Sequence, residues 1–411
     1  MKKQFKLWIC YGGILLLLIG CAQERNSSII NEDVEFDRED YQKVVLHNNQ
    51  LGFDLLASEE LKQDGNLFIS PISLFMALSM VQNGADGNTL DEMNAVLHSN
   101  GMDSLELSKA NASWMDILHR DSDHIQLHVA NSIWLNNRFS FQEEFAQLNR
   151  DYFNAHIEEF DISTDDTVNE MNDWIKRSTN QKIDEVITSP LDSDTVAILL
   201  NAIYFKGDWK YEFNKKRTEV SSFYLDDETS KEIPLMMLEE ELAYLATDDF
   251  QAVSLPYGNE EMSMKVFLPK EEKGLKGFLE MLTYDNWKKW TGDFKKKEGT
   301  VYLPSFELEY ELVLNNILKE LGMESAFDYN ADFTRMIEEK DPIWISEVKQ
   351  KTFLEVNEEG TEAAASTSVG VVTESATLDG PFYMRVDRPF FLAIVDDETE
   401  TILFMGAIRN P

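Results

Sequence analysis

Cysteine is almost missing: the 411 residues hold two, Cys10 and Cys21. Positive charge is short as well, with 37 lysines and arginines against 75 aspartates and glutamates, a formal net charge of −38. So acidic a chain is not expected to bind nucleic acid, because phosphate binding needs clustered lysine and arginine. The acids are spread along the chain, where they serve solubility. All six histidines, His47, His98, His119, His124, His128 and His156, fall in the first 156 residues. His124 and His128 are spaced for a metal only if they are helical, and the alternation of HIQLHVANSIWL around them reads as a strand. No metal site is expected. HExxH, CxxC, GxSxG and Walker motifs are absent, and GADG at 84–87 lacks a following GK[ST]. With no catalytic residues and no cofactor site indicated, the chain is not read as an enzyme. Pro/Gly/Ser-rich linkers and repeat periods are also lacking, which argues for one large domain despite the length.

What is present begins at the N-terminus. MKKQFK is basic, LWICYGGILLLLIG is apolar, and Cys21 follows at once, so residues 1–20 read as a signal peptide. Leu18-Ile19-Gly20-Cys21 resembles the bacterial lipobox, whose cysteine thiol takes a diacylglyceryl group. The expectation is lipid attachment at Cys21, a polar tether over 21–40, and a membrane anchor in the bacterial cell envelope, on the periplasmic face or the cell surface. With Cys10 removed and Cys21 lipidated, no disulfide can form in the mature chain. A core drawn from the 43% apolar residues must hold the fold.

Periodicity places helices mainly in the first half: YQKVVLHNNQLGFDLLASEEL, SPISLFMALSMVQNG with Ser70 capping and Pro71 in the first turn, and DGNTLDEMNAVL with Thr89 as cap. FQEEFAQLNRDYF and VNEMNDWIKRSTNQKI follow. DTVAILLNAIYFKGDW is nearly all apolar, as a strand buried on both faces should be. Strands then dominate, interrupted by GLKGFLEML, YDNWKKWTG and LNNILKELGM, the last stopping at Gly322. The fold class is α+β, helices packed over large sheets.

One segment stands out. Between two strand-like stretches runs EEGTEAAASTSVGVVTESATLDG, Glu358 to Gly380, with no lysine or arginine between Gly360 and Arg385. Numbered by twos, Thr361, Ala363, Ala365, Thr367, Val369 and Val371 share one uncharged face, while Glu362, Ala364, Ser366, Ser368, Gly370 and Val372 share the other. Such a strand could slide between two existing strands: no charge inward, no bulk, no proline to lose a ladder bond. Gly360 would supply a backbone hinge.

VNEEGTEAAAST resembles the hinge of the serpins. Serpin-like stretches stand in serpin order across the chain: NLFISPISLFMALSMVQNGADGNTLDEM, VANSIWL, VNEMNDWIKRSTNQKI, LLNAIYFKGDW, VSLPYGNEEMSMKVFLP, VYLPSFELEYEL, LKELGMESAFDYNADFTRM and VDRPFFLAIVDDETETILFMGAIRNP. The resemblance implies a serpin fold over 41–411, with three β-sheets, about nine helices and an exposed reactive loop at about 358–381. It implies a monomeric suicide inhibitor of serine, and in some members cysteine, proteases, the cut loop inserting into the central sheet before the acyl-enzyme hydrolyses. The alternative is a serpin-fold binding protein that does not inhibit.

By the same resemblance, Glu358, Gly360, Thr361, Glu362, Ala363, Ala364 and Ala365 form the hinge. Ser70, Ser73 and Asn201 match the shutter where the sheet parts, and Trp209 matches the breach where insertion starts. Two positions depart from the family pattern: Gln350 stands where many members have a histidine, and Ser305 where many have a lysine for the hinge glutamate. Counting from the hinge sets the reactive bond at Glu374-Ser375; counting back from Pro389 sets it at Leu378-Asp379, with Val372 and Thr373 as further alternatives. The loop offers no cation for a trypsin-like pocket. Glu374 suits a glutamate-preferring protease and Val371-Val372-Thr373 an elastase-like one.

Overall fold

The computed structural model describes residues 30–411 except 32, 59–64, 123, 165 and 362–379. Cys21, the signal segment, Glu362, Ala363, Ala364, Ala365 and the candidate reactive residues Val372, Thr373, Glu374, Ser375 and Leu378 lie outside the described residues.

Nine α-helices occur among the described residues: α1 (Gln42–Ala57), α2 (Pro71–Gln82), α3 (Gly87–Val96), α4 (Ser104–Leu118), α5 (Glu143–Phe153), α6 (Asp166–Ser178), α7 (Gly274–Met281), α8 (Tyr284–Gly292) and α9 (Asn315–Glu320). Strands are numbered β1–β16 in chain order. The central sheet runs β11 (Phe306–Val313), β12 (Ile345–Val356), β13 (Gly360–Thr361), β5 (Ala197–Asp208), β3 (Ile125–Asn136), β2 (Arg120–Asp121), with β4 (His156–Phe160) also on β3. A second sheet runs β1 (Leu67–Ile69), β16 (Thr401–Ile408), β15 (Phe390–Asp396), β9 (Met262–Pro269), β8 (Phe250–Tyr257), β7 (Ser230–Ala246), β10 (Lys295–Pro304), β14 (Phe382–Arg385), with β6 (Glu219–Tyr224) on β7. Two of the three expected sheets are hydrogen-bonded into one, because β7 is 17 residues long and runs from one into the other.

The apolar run of β5 has a simple cause. Ala197, Leu199, Ile203 and Phe205 face the main core, while Ile198, Leu200 and Ala202 face a second cluster with Met171, Trp174 and Ile175 of α6. A strand with helix or core on both faces has no polar face to show. On the core side, every residue of α2 is buried, so it lacks an amphipathic stripe.

Several local expectations need correction. Ser70 occupies the N-cap position of α2 with Pro71 next, but its hydroxyl donates to the Leu403 carbonyl instead of accepting from the helix. Helix α3 starts earlier than expected, capped by Asp86, and the Thr89 hydroxyl bonds Ser325 Oγ. His124 precedes β3 and lies beside Asp208, while His128 stacks on His119. Helix α4, with Asp103 accepting from Glu106 N–H, was not read from the sequence. Nor is the whole of 21–40 a slack tether: Ile30 is 3% exposed, and Val34 and Phe36 pack on the core.

Candidate functional site

Strands β12 and β5 are joined at one end and parted at the other. From Ile345↔Ala197 to Lys351↔Ala202 they pair directly and in parallel. Past that point they diverge, and β13 lies between them, Thr361 opposite Val356 and Gly207, Gly360 opposite Asp208. The first residues of the loop are therefore already strand residues of the sheet.

A tight turn delivers them there. Asn357 Oδ1 accepts from the backbone N–H groups of Glu359 and Gly360 at 3.0 and 3.1 Å, and Asn357 N–H donates to the Gly360 carbonyl at 2.9 Å. The turn is held from below by backbone donors of the segment after β5: Trp209 N–H to the Glu359 carbonyl and Phe213 N–H to the Glu358 carbonyl, both at 2.8 Å. The Trp209 indole donates to the Asn357 carbonyl at 2.9 Å, and its ring stacks on Tyr257 with centroids 4.4 Å apart.

Gly360 earns its place by close approach. A Cβ there would collide with the Gly207 carbonyl oxygen and lie 2.7 Å from Asp208 Cα, both backbone atoms that cannot swing aside. The sequence reading assigned this glycine to hinge freedom; in the structure the need is space. Thr361 is 1% exposed and its hydroxyl meets the Tyr257 hydroxyl at 2.7 Å. Burial pushes the Tyr257 pKa up, the Thr361 hydrogen bond offsetting only part, so the phenol stays neutral. The seat of the first inserting residue is thus apolar, uncharged and lined by one hydroxyl.

Two carboxylates fix the turn. Glu358 accepts from the Thr218 hydroxyl at 2.7 Å. Buried Glu359 pairs with Lys215, whose ammonium it holds above its ordinary pKa. Ser305, the position where a lysine was sought for Glu358, instead donates its backbone N–H to Pro234. A lysine does pair with this turn, but with Glu359 and from another segment. Lys215, Thr218, Tyr257, Gly207 and Asn357 were not singled out from the sequence. NKKRT carries no periodic signal that would select Lys215, whereas Tyr257 ends an alternating strand and could have been placed inward.

The expected shutter lies where β12 and β5 join. Gln350 accepts from Ser70 N–H at 2.9 Å and donates to the Ser70 carbonyl at 2.9 Å and Ser73 Oγ at 3.2 Å. This glutamine fills the place of the missing histidine with three bonds, and none of the three side chains titrates between pH 5 and 8. Asn201 stands in register with Gln350 and with Asn131 of β3. Its amide donates to Asn131 Oδ1 at 2.5 Å, leaving Asn201 Oδ1 and Asn131 Nδ2 buried and unbonded. The backbone ladder is continuous across this row, Gln350 to Asn201 to Asn131.

A central sheet parted at one end, entered by the first two residues of a long connection and bonded below by a polar cluster, is the arrangement that the comparisons with known proteins also point to. The family model for the serpins (serine protease inhibitors) matches residues 46–411. The chain belongs to the serpin family. It is 35% identical to human neuroserpin over 364 residues, covering 85% of this chain and 87% of that protein. It is 35% identical to human leukocyte elastase inhibitor over 379 residues, covering 89% and 98%. Among solved structures, the native state of tengpin, a thermophilic serpin, superposes with a TM-score of 0.81 at 28% identity, covering 93% of this chain and 96% of that one. Human thyroxine-binding globulin, solved with thyroxine, gives 0.82 at 25% identity, covering 90% and 99%. Members of the family are generally protease inhibitors, but the fold alone does not separate inhibitors from carriers.

Proposed function

We propose that this chain is a suicide inhibitor of serine proteases, with some cysteine proteases as further targets. The protease nucleophile attacks the Glu374 carbonyl, the peptide bond to Ser375 breaks, and the amine of Ser375 leaves, giving an ester to the enzyme. The freed loop then continues the strand that Gly360 and Thr361 begin. The supporting observation is the seat itself: Thr361 lies in register between β12 and β5, in an uncharged notch that the next inward residues, Ala363 and Ala365, are small enough to extend.

Roughly 15 inserted residues at ~3.3 Å each would span about 50 Å. A ladder of ~10–15 bonds at ~1 kcal/mol net gives on the order of 10 kcal/mol, comparable to the stability of an ordinary domain. The uncut fold is then a kinetic trap. A binding protein that does not inhibit is the second reading, and thyroxine-binding globulin is such a carrier on the same fold. Carriers need no inserting strand, so the small, uncharged inward face speaks for inhibition.

The targets we propose are elastase-like or glutamate-preferring proteases. The loop sequence supports this, and a relative at 35% identity is by name a leukocyte elastase inhibitor. We also propose that the protein works at the bacterial envelope, held by lipid on Cys21. Mixed with pancreatic elastase or glutamyl endopeptidase, the protein is expected to give an SDS-stable band heavier than either partner, and none with trypsin. Clean cleavage without that band by both proteases would contradict the inhibitor reading and favour the binding protein that does not inhibit.

A further inference from the structure

A cleft of about 380 Å³ opens at the joined end of β12 and β5, between the segment that leads into β5 and the first residues of β12. Its apolar walls come from two cores. Ile187 and Ile198 belong to the cluster beneath α6, on which Leu191 also packs, whereas Trp344 packs on the main core. The volume is that of a site for a small organic molecule.

The charge in the lining is mainly of one sign. Asp192, Asp194 and Glu347 line the cleft against one ammonium, Lys349. That ammonium is already engaged: it donates to the Val186 carbonyl at 3.1 Å and lies 3.5 Å from Glu311 and 3.6 Å from Glu347. Arg138 comes close on the same segment, but its guanidinium donates to the Ser193 carbonyl at 3.3 Å. Exposed Asp192 and Asp194 form no ion pair among the described residues, and their bonds serve the local turn: Asp192 Oδ1 accepts from Asp194 N–H at 3.0 Å and Asp194 Oδ1 from Ser193 Oγ at 3.4 Å. Thr195, also in the lining, is 7% exposed. Its N–H donates to the Asp192 carbonyl and its carbonyl accepts from Asn136 Nδ2. Its hydroxyl has no hydrogen-bond partner among the described residues, which is uncommon for so buried a side chain.

We propose that this cleft binds a small organic cation, an amine carried on an aromatic body, and that the bound cation holds β12 and β5 together. The body lies against Trp344, Leu191 and the two isoleucines. The ammonium lies among the three carboxylates, with the Trp344 ring and the unbonded Thr195 hydroxyl as further partners. An anion of the same shape is repelled by the same carboxylates. The hold on the sheet follows from position. One wall stands on β12 and the other on β5 and the segment before it, which are paired from Ile345↔Ala197 and tied by Val196 N–H to Ser346 Oγ at 2.9 Å. A strand entering between β12 and β5 must part these walls. A ligand that needs both walls binds the joined sheet and not the parted one, so it opposes insertion by mass action. This second effect rests on the inhibitor reading; the binding does not.

The probe is tryptamine, with tryptophol and indole-3-acetate as its neutral and anionic counterparts, each titrated by calorimetry into the whole uncut protein. One tryptamine is expected to bind saturably, tryptophol about tenfold more weakly, and indole-3-acetate not at all. In Asp192→Asn/Asp194→Asn, tryptamine should fall towards the affinity of tryptophol while tryptophol keeps its own, a loss of charge preference that a misfolded variant would not show. With pancreatic elastase, tryptamine at ten times its dissociation constant should raise the ratio of cleaved protein to covalent complex about tenfold in wild type, and far less in the variant at the same concentration. Hydrolysis of a small chromogenic substrate checks that the amine leaves elastase itself alone. No saturable binding, equal affinity for all three indoles, or tryptamine binding undiminished in the variant would overturn the site. Binding as expected with an unchanged ratio of cleaved protein to complex would overturn its hold on the sheet. Failure of wild type to form complex even without the amine would instead refute the inhibitor reading, and the calorimetry would still decide the site.

Discussion

Replacing Thr361 with arginine is expected to turn the inhibitor into a substrate. The Thr361 side chain is enclosed between two strands, with the neutral Tyr257 hydroxyl as its polar neighbour. Among the described residues no carboxylate bonds the Thr361 side chain, and Glu358 and Glu359 are engaged with Thr218 and Lys215. An arginine must either stay outside, holding the hinge out of the sheet, or enter and bury an unpaired charge at a cost of about 3–5 kcal/mol. If half or more of that cost falls on the barrier to insertion, hydrolysis of the acyl-enzyme gains roughly ten- to several thousandfold over insertion. SDS gels should then show a cleaved variant and an active protease, where the wild type is expected to show complex. Complex formation undiminished in the variant would mean that the Thr361 side chain does not face the core during insertion.

Truncating Trp209 to alanine is the second large effect. Its ring is 5% exposed, stacks on Tyr257 and meets Phe213 at 6.0 Å, and its indole N–H holds the turn that carries the hinge. Loss of a buried tryptophan costs about 3–5 kcal/mol. Taken from the uncut form, that loss should lower its melting temperature by roughly 4–6 °C. Incubation below the melt should also bleed off inhibitory activity faster than in wild type. A melting temperature within a degree or so of wild type, with activity equally durable, would show that Trp209 is not a support of the hinge.

The parts of this molecule that could be read in advance are those fixed by burial or by the family pattern. The long apolar run of β5 signalled burial on both faces, and the structure supplies the reason, a core on one side and α6 on the other. The hinge sequence pointed to strand insertion, and Gly360 and Thr361 are strand residues between β12 and β5. Contacts made by polar side chains across long separations were not legible. Lys215 meets Glu359 across 144 residues, and Thr218 meets Glu358 across 140. Nothing local to NKKRT marks it as a hinge support. Caps failed for a related reason: Ser70 had the right type and position but gave its hydroxyl to the Leu403 carbonyl, and Thr89, inside a helix that Asp86 caps, bonds Ser325. A buried hydroxyl goes to whichever partner leaves fewest groups unsatisfied, and sequence spacing sees only the nearby candidates.

The loop should be cut once with a metalloprotease, which forms no acyl-enzyme and cannot be trapped, and the nicked protein melted beside the intact one. Insertion worth on the order of 10 kcal/mol should raise the transition by about 12 °C. A nicked protein that melts where the intact one does, or lower, would mean that the sheet does not take up its own loop, and the inhibitory mechanism proposed for it could not operate.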